Sequence, residues 1–123
     1  MKSIRKGNTL INRRYRTPIM HRAVISSDVI YFGGVVADDV SDGMFSQMEQ
    51  VCKKIERMLG ELGSSKEKLL QATLYITDMS LKNEMNDAWT GWLSPENLPS
   101  RATIGVADLG EGVLVEAVVT ARQ

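Results

Sequence analysis

The sequence predicts an α+β fold, a mixed β-sheet with two helices packed on one of its faces. Three observations carry that prediction. Two segments repeat apolar residues at three- and four-residue spacing, as helices do. The other apolar runs are short or alternate with period two, as strands do. The segments follow in the order strand, strand, strand, helix, strand, helix, strand, strand, and right-handed crossovers then place both helices on the same side of one sheet. At 123 residues the chain suffices for one compact domain with its own core, taken here as residues 1 to 123.

The first strand is expected around Ile4. "AVIS" and "VIYFGGVV", separated by "SD", predict a β-hairpin over residues 22 to 36. "ADDVSDG" breaks the pattern. Met44, Met48, Val51, Ile55, Met58 and Leu62 then share one helical face, with Ser41 or Asp42 as cap and Gly63 as stop. In "LLQATLYIT", Leu70, Ala72, Leu74 and Ile76 point one way and Gln71, Thr73, Tyr75 and Thr77 the other, which makes a strand with two unlike faces. The second helix follows Ser80, with Leu81, Met85, Ala88, Trp89, Trp92 and Leu93 as its stripe. "RATIGV" and "GVLVEAVVTA" are the last two strands and are expected to pair as a hairpin around "ADLGE". The sheet face away from the helices would carry Tyr75, Thr73, Gln71, Leu114, Val118 and Thr103, a mixture that suits an interface between subunits.

Composition narrows the function classes. No stretch approaches the roughly 20 apolar residues of a membrane helix, and no apolar run follows the basic N-terminus, so a cytoplasmic protein without membrane contact is expected. One cysteine, Cys52, and one histidine, His21, supply neither a disulfide framework nor a zinc ligand set, and no metal is expected. Cys52 reads as a small core residue. Net charge is zero, yet residues 1 to 22 hold seven Lys or Arg and no acid. A solvated basic segment is the favoured reading of that arm, since a neutral chain is a poor nucleic-acid binder.

Two charges interrupt the apolar C-terminal strands, Arg101 and Glu116. A carboxylate in a strand as apolar as "VLVEAVV" requires a partner, a ligand or solvent, because burying it unpaired costs several kcal/mol. In the expected hairpin Arg101 and Thr103 would lie near Glu116 and Val118 on the bare face. Spacing alone leaves two readings open. One is an ion pair that fixes register or subunit packing. The other is a carboxylate-binding site with an attached acid/base, for which the planar guanidinium fork is well suited.

"LPSRATIGVADLGEGVLVEAVVTA" resembles the C-terminal signature of the Rid/YjgF family of reactive intermediate deaminases. "VIYFGGVVADD", "LLQATLYITDM" and "MNDAW" resemble, in register, its hairpin strand and loop, its central strand and its second helix. The resemblance spans residues 20 to 121. It implies a chorismate-mutase-like α+β fold assembled as a homotrimer, with an inner barrel and clefts between neighbouring subunits. It also implies hydrolysis of 2-imino acids and their 2-aminoacrylate-type enamine tautomers to 2-oxo acids and ammonia, with no cofactor. Arg101 matches the carboxylate-binding arginine and Glu116 the acid that orients a water. Asn86 falls on a helix position that lines the cleft. This chain departs from the family at three places: Gly33 stands for a common serine, Met20 for a tyrosine and Thr103 for a frequent cysteine. The partner expected is therefore a small imino or oxo acid. Non-catalytic binding of small carboxylic acids is the alternative, and an RNA-directed activity ranks below both.

Overall fold

The computed structural model describes residues 10–123. The strand expected around Ile4 lies outside them. The first observed strand, β1, is Asn12–Arg16, a polar segment that alternation does not reveal. β2 (His21–Ser26) and β3 (Val29–Phe32) form the expected hairpin, with Ser27 and Asp28 at its turn, both at positive φ. The long helix α1 (Met44–Glu61) follows, then β4 (Leu69–Ile76), the shorter helix α2 (Lys82–Trp92), β5 (Ser100–Gly105) and β6 (Val115–Arg122). The six strands make one mixed sheet in the order β1-β2-β3-β6-β4-β5.

The start of α1 differs from expectation. Its N-cap is Gly43, which has no side chain to cap with, and Ser41 is instead turned onto the Asp39 carboxylate. The fully buried Gln47 fastens this end by another route. Its Nε2 donates to the carbonyls of Asp42 and Gly112, at 3.2 and 2.9 Å, and its Oε1 accepts from the Leu114 backbone N–H at 2.9 Å. A buried amide with both ends satisfied ties the helix to the loop before β6. At the other end Gly63 stops α1 as expected, at φ +79°, a conformation costly for residues with a β-carbon.

The core lies between the sheet and the two helices. Met48, Val51, Ile55 and Leu59 of α1 and Met85 of α2 are fully buried against Leu74 and Ile76 of β4 and Val115, Ala117 and Val119 of β6. Truncating one of these large side chains, as in Ile55→Ala, removes about 2–5 kcal/mol of stability. Trp92 also joins the helices, its indole N–H donating to Glu56 at 2.8 Å. In β4 the inward residue at the start is Leu69, with Leu70 exposed, contrary to the alternation expected from Leu70 onward. A register irregularity between Leu69 and Gln71 shifts the phase there.

The larger correction concerns the last two strands. β5 and β6 do not pair with each other. β6 lies between β3 and β4, antiparallel to both, while β5 runs parallel to β4 on its far side as the edge strand. The nine residues 106–114 between them are long enough to pass the end of β4, whereas a hairpin needs only a short turn.

Candidate active site

Sheet register fixes which face each candidate residue occupies, because residues directly opposite in a ladder share a face. Glu116 is opposite Tyr75, whose other neighbour is Ile104, and these three form a row on the face away from the helices. Arg101 is opposite Ala72, and Ala72 is opposite the buried Val119, so Arg101 belongs to the helix-covered face. Thr103 falls in the row of Leu74 and Ala117 on that same face. The expectation that Arg101, Thr103 and Glu116 share the open face is thus corrected. Ala102 and Ile104 take the open positions, and Ile104 is 43% exposed. Ala102, Ile104 and Val106 alternate as a core face would, but β5 is an edge strand whose inner side can hold a long polar side chain against the rim of α2.

The candidates therefore form two groups. The first surrounds Glu116, which is half-buried and has no hydrogen-bond or ion-pair partner among the described residues. Its carboxylate lies against the backbone of Gly34, so closely that a β-carbon there would come within 2.6 Å of the carboxyl carbon. Gly34 thus belongs with the candidate residues around Glu116 although the sequence analysis did not single it out, and the tandem glycines of "FGG" were the available signal. Gly33 next to it donates its N–H to the Arg22 carbonyl, and the Met20 sulfur lies 3.4 Å from where a Gly33 side chain would begin. Met20, Gly33 and Glu116 are thus gathered around one stretch of backbone.

The second group surrounds Arg101. Its guanidinium carbon is 5.6 Å from the centre of the Trp89 ring, a cation–π arrangement worth roughly 0.5–2 kcal/mol. Trp89 is held by packing in the core and by an edge-on contact with Trp92, so it supplies a fixed platform. Partial burial lowers the pKa of Arg101, which nonetheless stays cationic at neutral pH. No carboxylate pairs with it among the described residues, whose ion pairs are Lys54–Asp38, Arg57–Glu61 and Lys66–Glu56. Asn86, one helical turn before Trp89, has a buried side-chain oxygen with no donor. An unpaired half-buried cation and an orphaned amide oxygen on neighbouring elements both call for a ligand or a partner surface.

Within one chain the two groups cannot act on one small molecule. β5 and β6 flank β4, which sets their backbones about 10 Å apart, and the three-residue offset between the Ala72 and Tyr75 rows adds about 10 Å along the strands. The side chains also leave opposite faces.

A mixed six-stranded sheet with two helices on one face and the other face bare defines a class of small α+β proteins. The sequence profile of the family described as Endoribonuclease L-PSP matches residues 15–123. A RutC family protein from Haemophilus ducreyi is 34% identical over 112 residues, covering 91% of this chain and 96% of that relative. The crystal structure of NMB1025 from Neisseria meningitidis, a member of the YjgF protein family, superposes with a TM-score of 0.90 at 29% identity, over 94% of this chain and 97% of the other. RidA from an Antarctic Psychrobacter superposes with a TM-score of 0.81 at 25% identity, over 88% and 91% of the two chains. The chain belongs to the Rid/YjgF family.

Proposed function

We propose that this protein hydrolyses 2-imino acids and their enamine tautomers to 2-oxo acids and ammonia, in clefts between the subunits of a homotrimer. The observation that carries the reading is Arg101, a half-buried guanidinium on a fixed tryptophan, without a carboxylate among the described residues. A substrate carboxylate supplies the missing anion through two parallel charge-assisted hydrogen bonds. Asn86 contributes an acceptor for an imine or enamine N–H, and Thr103, two residues after Arg101 on the same face, borders the substrate.

Glu116 from the neighbouring subunit completes the site, with Gly33 and Met20 forming the wall beside it. Water adds to the C=N carbon while Glu116 accepts its proton. Glu116 passes that proton to the nitrogen to give the carbinolamine, then moves the hydroxyl proton to the nitrogen as well, so that the C–N bond breaks and ammonia leaves as the C=O bond forms. The oxygen of the water ends in the 2-oxo acid. The imine carbon is already electrophilic, so no covalent nucleophile is required. Orientation by Arg101 makes the attack effectively unimolecular, and general acid–base help adds about 10²–10⁴-fold.

An amino-acid oxidase coupled to the purified protein tests this directly, with imine disappearance followed over a panel of amino acids. Arg101→Ala is expected to abolish turnover and 2-oxo-acid binding together. Glu116→Gln is expected to keep binding and lose turnover by about 10²–10⁴-fold. Full turnover in Arg101→Ala overturns the assignment. Binding of 2-oxo acids by a wild-type protein that turns over no imine leaves a carboxylate-binding protein.

A further inference from the structure

The basic residues near the N-terminus have no part in the proposed reaction, yet two of them reach a second concavity. Between the β1–β2 edge of the sheet and the C-terminal half of α1 lies a cleft of about 430 Å³. Arg16 and Arg22 line it from the strands, and Lys54, Arg57 and Met58 line it from α1. Four cations thus face one lining carboxylate, Asp38. A shallower continuation adds Lys53 and Gln50.

The charge is only partly neutralised internally. Lys54 is held at 2.7 Å from Asp38 and also donates to the Val36 carbonyl at 2.8 Å. Arg57 makes a loose contact of 3.7 Å with Glu61, and Glu61 already accepts from the Tyr15 hydroxyl. Arg16 and Arg22 form no salt bridge among the described residues, although Arg22 lies near enough to help hold the Asp38 carboxyl below its usual value. The remaining walls are Met58, Val35 and the backbone of Gly33 and Gly34, so the cleft combines converging cations with an apolar floor. A volume of this order accommodates a small organic molecule rather than a lone ion.

We propose that this cleft is a second ligand site, for a small organic phosphate monoester. A phosphate dianion matches a cleft with several excess positive charges and accepts hydrogen bonds from several directions at once, as arginines on two elements require. The organic body rests on Met58 and Val35. The cations converge into a concavity instead of forming the continuous strip that a nucleic-acid backbone follows, which favours a small ligand. The cleft shares the Gly33–Gly34 backbone with the proposed imine site but uses neither Arg101 nor Glu116, so the inference stands whether or not the imine reaction is the protein's activity.

Calorimetry of the full chain at low ionic strength, with adenosine monophosphate, adenosine, inorganic phosphate and a short single-stranded RNA as probes, tests it. Adenosine monophosphate is expected to bind with one site per subunit and adenosine not to bind, with inorganic phosphate competing. The double variant R16Q/R22Q changes two exposed residues and leaves the core intact. It is expected to bind adenosine monophosphate about tenfold more weakly or worse, with an unchanged melting temperature and unchanged imine turnover. Equal binding by the double variant, equal affinity for adenosine, or no binding at millimolar concentration overturns the proposal. So does binding confined to RNA, or loss of turnover in the double variant with phosphate binding unchanged.

Discussion

The two faces of the sheet obey different rules. On the helix-covered face, β6 contributes Val115, Ala117, Val119 and Ala121, each at most 1% exposed, and β4 contributes Ala72, Leu74 and Ile76 at the same level. On the other face the same two strands present Glu116, Val118, Thr120, Thr73 and Tyr75, all half-buried, beside the exposed Tyr31 and Ile104. The first face is complete within one chain. The second is neither a core nor an ordinary solvent surface, and it holds Glu116 apart from the arginine it would work with. In the proposed reaction the two faces have different tasks: the helix-covered face holds the core, and the bare face brings Glu116 to the Arg101 of a neighbouring subunit.

Mixing two inactive variants tests the division between the faces most directly. Arg101→Ala and Glu116→Gln each destroy one half-site and leave the other intact. If each cleft takes Arg101 from one subunit and Glu116 from the next, unfolding and refolding the two variants together at equal amounts restores about a quarter of the wild-type sites, because each of the two required halves is supplied with even odds. If one chain supplied both residues, no mixture would recover activity. Light scattering coupled to gel filtration supplies the companion measurement, with a trimer expected and a stable monomer ruling out the shared cleft.

Much of the helix-covered face was legible in the sequence, and the reason is periodicity. The α1 stripe from Met44 to Leu62 and the alternation of β6 each encode one buried side. β1 was not legible, because "NRRYR" is a polar edge strand whose pairing with β2 leaves no apolar signature. Nor was the position of β5. Local alternation identifies a strand but does not say which strand it joins, and the nine residues before β6 permit either a hairpin or a crossing. The candidate site was legible in residue type and not in geometry. Arg101 and Glu116 stood out as charges in apolar strands, while their opposite faces followed only from the register with β4. Trp89 read as core, and it is core, but its outer ring face also carries Arg101.

A smaller effect sharpens the account of Glu116. Gly34 is where the Glu116 carboxylate comes to rest on the backbone, and Gly34→Ala inserts a methyl group into that space. Since the backbone there is fixed by the bridge between Val35 and Ala117, the glutamate has to move. Turnover is expected to fall by about 10–10³-fold, short of the loss in Glu116→Gln, while Arg101 continues to bind 2-oxo acids. Unchanged turnover would mean that the resting position of the carboxylate is not its working position.

The smallest effect belongs to the finished face. Cys52 lies 2% exposed in the α1 layer, and burial, with Glu49 and Glu56 nearby, pushes its thiol up to about 12. Its unfolded counterpart titrates near about 8.5. The folded state therefore holds the proton more tightly, and the associated stability is fully present below the unfolded value and is lost as pH rises through the range from about 9 to 12. Two measurements follow. A thiol-alkylating reagent at neutral pH is expected to label Cys52 only after denaturant unfolds the chain, since the reactive form is the thiolate and the native site suppresses it. Melting temperature is expected to fall with rising pH less steeply in Cys52→Ala than in wild type, on top of a constant penalty for the small cavity. Rapid labelling of the native protein would show that the helix-covered face opens readily, and the contrast between a closed face and a bare one would then lose its first half.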